Sequence, residues 1–128
     1  MSAAALRARY MGDTVATASP QQLLVMLYDR LAMDLERGES ALRAGNPEEG
    51  SRQLLHAQDI VAELHGSLKV DAWDGGPRLA ALYTWLLTEL VNANVKRDAN
   101  RVASCRQIVE PLRDAWRQAA TALAAGVA

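Results

Sequence analysis

Four helix-start signals constrain this chain more than any other feature. The first is Ser19-Pro20-Gln21-Gln22-Leu23. Ser19 reads as the N-cap and Pro20 as the first helical residue, where a missing N–H costs nothing. Gln22 is placed to reach back to Ser19 as a capping box, and Ala18 with Leu23 would close a weak hydrophobic staple. Asn46-Pro47-Glu48-Glu49 repeats the device, with two acids at the positive end of the helix dipole. The segment Asp71 to Pro77 holds two adjacent glycines and reads as a loop whose proline opens a third helix. Asp98 caps a fourth.

Behind each signal the apolar residues recur at helical spacing. Leu23, Leu24, Leu27, Leu31, Leu35 and Leu42 mark the first helix, which Gly45 ends. Leu54, Ala57, Ile60, Val61, Leu64 and Leu68 mark the second. The third carries Leu79, Leu82, Tyr83, Leu86, Leu90 and Ala93. On the fourth, Val102, Cys105, Val109, Leu112, Trp116 and Leu123 form a single stripe. Pro111 falls inside that helix, where it removes a backbone bond to Gln107 and predicts a kink. The prediction is an all-α, antiparallel, up-down-up-down four-helix bundle. It forms one domain over 1–128, with the bundle over 19–123 and an N-terminal cap or lid over 1–18. That cap holds Tyr10, Met11 and Val15, too apolar for a solvated tail.

Composition agrees. The apolar half of the 128 residues is rich in Ala and Leu, with no Phe and four Pro, which favours helix over sheet. A net charge of −1 with interspersed signs leaves no basic stripe for nucleic acid. Apolar runs are far shorter than the roughly 20 residues a membrane span needs, so no insertion is expected. The first ten residues show no apolar core of a secretory signal, and a lone cysteine suits a reducing compartment. A cytoplasmic location is the expectation.

Little in the chain suggests catalysis or a cofactor. His56 and His65 sit about 180° apart around a helix axis, so one ion cannot take both. No Glu-x-x-His pair suggests a di-iron bundle. Cys105 lies on the core stripe and reads as a small buried hydrophobe. Gly75-Gly76 lacks the Lys-Ser/Thr that would follow in a phosphate loop. Met26 and Met33 flank the first helix, where methionine serves as gap filler or adaptable contact.

The third helix is more apolar than one core requires. From Trp85 through Leu82, Leu86, Leu79, Leu90, Tyr83 and Leu87 to Val91, its apolar arc covers roughly 240°, about twice what a bundle interior uses. The excess must meet the N-terminal segment, a partner chain or a second copy. A helix-in-groove partner, displacing a lid, is one reading. A self-associating structural module with no client is the alternative.

Several motifs together resemble the flagellar export chaperone family FliS. They are Tyr10, then Val15-Ala16-Thr17-Ala18-Ser19-Pro20, then Leu23-Leu24-Val25-Met26-Leu27-Tyr28-Asp29. Leu82-Tyr83, Leu90-Val91-Asn92-Ala93-Asn94 and Leu112-Arg113-Asp114-Ala115-Trp116 follow in the same order. The resemblance implies a non-enzymatic cytoplasmic chaperone without cofactor, monomeric or weakly dimeric when free. Its partner would be the C-terminal helical segment of flagellin, disordered before assembly, which it hands to the flagellar type III export apparatus. The resemblance also implies that the tyrosine-bearing N-terminal segment can cover a groove in the free protein. The candidate client-binding residues are Tyr10, Leu82, Tyr83, Trp85, Val91, Ala93 and Asn94.

Overall fold

A computed structural model of the chain describes residues 19–126, so the predicted lid, with Tyr10, lies outside the described residues. The described residues form four α-helices: α1 (Pro20–Arg43), α2 (Pro47–Ser67), α3 (Gly76–Lys96) and α4 (Ala99–Ala124). A short 3-10 turn, Val70–Ala72, joins α2 to α3.

The start signals work as their chemistry requires. Ser19 accepts from the Gln22 backbone at 3.1 Å, and the Gln22 side chain accepts from the Ser19 N–H at 2.9 Å. Asn46 accepts from the Glu49 N–H at 3.3 Å, and Asp98 accepts from that of Arg101 at 3.1 Å. The chain leaves α1 through Gly45, whose φ of +77° is open to glycine at no steric cost. The α3–α4 junction uses Arg97 in the same left-handed region, with φ of 52°.

The helices form a ring. Each packs against its neighbours in sequence, and α4 closes against α1, while no backbone contact crosses either diagonal. Packing is most extensive for α1 against α4 and α2, and least between α3 and α4. The core is drawn from the predicted stripes: Leu27, Leu31 and Leu35 of α1, Leu54, Ile60 and Val61 of α2, Leu86 and Leu90 of α3, Val102 and Val109 of α4. Each such side chain contributes about 1.5–3 kcal/mol by leaving water. On the α1–α2 seam the backbones come close. A Cβ at Gly50 would stand 2.7 Å from Leu42 and one at Gly38 3.1 Å from Leu54.

One expectation changes. Leu123 is 47% exposed and not part of the core. Glu89 pairs with Arg101 at 2.8 Å. In an antiparallel pair, that register brings the start of α3 level with the middle of α4, so the last turns of α4 have no α3 to bury them. At Pro111 the helix runs unbroken, and both Pro111 and Gln107 are exposed. Water can therefore reach the carbonyl that proline leaves unpaired.

Candidate functional site

Five segments meet at one end of the bundle around an open apolar groove of about 530 Å³. Leu23, Leu24 and Leu27 come from the first turns of α1, Leu64 and Leu68 from the end of α2, and Leu79 and Tyr83 from the start of α3. Trp73 and Trp116 complete it. The groove exists because the elements differ in length: α4 outruns α3 here, and the α2–α3 connection folds over the gap instead of filling it. Trp73 is placed by glycine. A Cβ at Gly75 would come within 2.1 Å of its indole, and one at Gly76 within 2.0 Å of the Val70 carbonyl. Trp73 thus walls the groove at the bundle end while staying half exposed.

Polar groups are few. Tyr28 of α1 and Tyr83 of α3 meet hydroxyl to hydroxyl at 2.7 Å across a diagonal that the backbones do not bridge. Burial raises the pKa of both phenols above 10.0, so the pair stays neutral. Trp116 packs tilted on Tyr28, its ring centroid 6.3 Å away, and its indole N–H favours the Tyr28 hydroxyl. Glu63, buried on α2, adds a carboxylate to the wall beside Ser67, whose hydroxyl donates to the Glu63 backbone carbonyl at 2.7 Å and lies 3.2 Å from the carboxylate.

The wide apolar arc of α3 resolves into two flanks. The core takes Leu79, Tyr83, Leu86, Leu90 and Ala93. Toward α4, Leu82 is half buried and Trp85 is 40% exposed; Trp85 lies near Glu89, Arg101 and Ser104. Toward α2, Val91 is 45% and Val95 76% exposed, and Asn94 and Val95 meet Pro47, Glu48 and Ser51. The candidates Trp85 and Val91 stand at the two edges of the exposed side of the helix, about 120° apart around its axis. Ala93 is fully buried in the core and offers no surface to a partner, a correction to its place among the client-binding candidates. Tyr83 is buried too, but lines the groove.

Outside the groove, Asp34 is fully buried in α1, held by Arg30 Nε at 3.0 Å and by His56 Nδ1 from α2. Burial raises its pKa, against the pull of His56 and Arg30. The sequence did carry the sign of this: Asp34 lies between Leu31 and Leu35, inside the apolar arc of α1. His65 is exposed and meets Tyr83 edge-on at 6.5 Å. Among the described residues no group of three or more His, Cys, Asp or Glu could hold a metal ion. None of the described helices is long and apolar enough to cross a membrane.

Comparison with known proteins agrees with this architecture. The family model "Flagellar protein FliS" matches residues 2–123. The chain is 31% identical over 110 residues to the flagellar secretion chaperone FliS of Bacillus subtilis, covering 86% of this chain and 82% of that one. It is 30% identical to the protein of the same name from Vibrio cholerae, over 81% and 77% of the two chains. For the Escherichia coli protein the identity is 29%, over 83% and 79%. A crystal structure of a flagellar chaperone from bacteria superposes with a TM-score of 0.73 at 23% identity, over 92% of this chain and 97% of that one, and shares the fold. These relatives are named as chaperones. With a family match along almost its whole length, this chain belongs to the FliS family of flagellar secretion chaperones.

Proposed function

We propose that the protein is a cytoplasmic export chaperone that holds the C-terminal segment of flagellin, prevents its premature polymerisation and releases it to the flagellar type III export apparatus. The observation that carries this reading is the open groove at the bundle end, lined by leucines from α1 and α2 together with Trp73 and Trp116. An amphipathic helix with anchors at i, i+3, i+4 and i+7 matches such a channel. The two flanks of α3, with Trp85 on one and Val91 on the other, extend the apolar surface beyond it. A segment that orders as it wraps would use several such surfaces at once, and would accept the entropic cost of folding on the bundle. Residues 1–18 lead into Pro20 on the groove lining. We assign them, with Tyr10, Met11 and Val15, the role of displaceable cover.

The test is calorimetric titration with the C-terminal segment of flagellin from the same organism, with the N-terminal segment as control. A one-to-one complex with a strongly negative heat-capacity change supports coupled folding in the groove. A protein that binds neither segment and runs as a tight dimer would overturn the proposal in favour of a self-associating module.

A further inference from the structure

The α2–α3 connection does more than join two helices. Its path is tight: the Ala72 N–H donates to the Lys69 carbonyl at 3.0 Å, and the Gly76 N–H to that of Trp73 at 3.1 Å. A Cβ at Gly76 would stand 2.0 Å from the Val70 carbonyl oxygen, so this path closes only on glycine. Gly75 is different. Its backbone is ordinary and right-handed, with φ of −79° and ψ of −9°, a conformation open to any residue. Glycine stands there for space, because the Trp73 indole passes 2.1 Å from where a Cβ would be. The indole is thus seated over Gly75 on one side, while half of its surface stays exposed where it lines the groove. A mere linker needs no such side chain. Charge gives the groove little preference, since Glu63 and Lys69 both line it. Shape is left to select the occupant, and among the lining groups Trp73 is large, flat and held in place before a partner arrives. An aromatic fixed in advance loses little freedom on binding, which is why tryptophan is so often a centre of binding energy.

We propose that Trp73 is a specificity-determining residue of the client site and that Gly75 is its positioning residue. The indole packs on an apolar anchor of the flagellin segment, and glycine at 75 leaves the room that holds the ring where that anchor passes. The assignment rests on the client reading above. It commits Trp73 to the client and not to the cover formed by residues 1–18, which fixes the sign of the effect. Removing the indole weakens client binding. Were the ring a seat for the cover alone, its loss would free the groove and strengthen binding.

A double-mutant cycle tests it. The flagellin C-terminal segment is titrated against the full chain, Trp73→Ala, Trp73→Phe, Gly75→Ala and the Trp73→Ala/Gly75→Ala double variant, with circular dichroism to show that the bundle is intact. Trp73→Ala should weaken binding about tenfold or more, as loss of an aromatic anchor does, and Trp73→Phe by less. Gly75→Ala removes no atom that touches the client, yet it should weaken binding by displacing the indole. In the Trp73→Ala background the same change should cost almost nothing. Gly75 is also the N-cap of α3, and a merely structural role there would cost as much with the indole as without it. Equal costs in the two backgrounds therefore overturn the positioning role. Unchanged or tighter binding by Trp73→Ala overturns the Trp73 assignment and leaves the client reading standing. No binding of the segment by the unaltered protein overturns both.

Discussion

Cys105 shows how completely burial decides the behaviour of a single group here. It lies at the centre of the inner face of α4, and its thiol pKa is pushed up to about 12, chiefly by loss of hydration and further by the Glu89 carboxylate. A thiol reagent at pH 8 should therefore label the native protein only as fast as the bundle opens, and label the urea-unfolded chain at once. Labelling of the native state at the unfolded rate would refute the burial. The linkage has a definite sign. The folded thiol holds its proton more tightly than the unfolded one, so this contribution to stability is complete below pH 9.0 and is lost as pH climbs toward 12. Asp34 is the opposite kind of buried residue, an acid kept inside by Arg30 and His56. Its place in the apolar arc could be read from the spacing of Leu31 and Leu35. Its histidine partner could not, because His56 comes from another helix and only the packing of α2 on α1 brings the two together.

At the scale of elements, the caps and stripes were legible because their causes are local. A serine, a proline and a glutamine at fixed offsets satisfy the first backbone N–H groups whatever the rest of the chain does. Pro111 was legible as the site of a lost backbone bond, and α4 continues through it, with Val102 and Val109 buried on its inner face. Because the helix is continuous there, Pro111→Ala restores an N–H to the Gln107 carbonyl and should stabilise the protein by about 1–3 kcal/mol. Chemical denaturation with an unchanged m-value would register this. A destabilised variant would mean that proline sets a bend on which the packing depends.

For the whole molecule, unequal helix lengths create the function-bearing surface. The α3 helix is shorter than α1 and α4, so one end of the ring stays open and exposes leucines from two neighbours to a common groove. Leu68, half buried at that opening, is a sensitive probe. Leu68→Glu should weaken binding of the flagellin segment tenfold or more, as loss of a central anchor does, while leaving helicity unchanged. Val91→Glu and Trp85→Ala probe the two flanks of α3 separately. A segment that wraps the bundle should lose affinity with each, whereas one confined to the groove should lose it only with Leu68→Glu.

The sequence by itself determined the number of helices, their starts, the residues that form the core stripes and the surplus of apolar surface on α3. These follow from capping and from the 3.6-residue period, both of which act within a few residues along the chain. Only the tertiary structure decided that Ala93 is interior, that Leu123 is half exposed, and that Tyr28 meets Tyr83. Those outcomes depend on how far each helix extends beside its neighbours and at what register. Such relations are set by the packing of side chains from distant positions, and no local pattern encodes them.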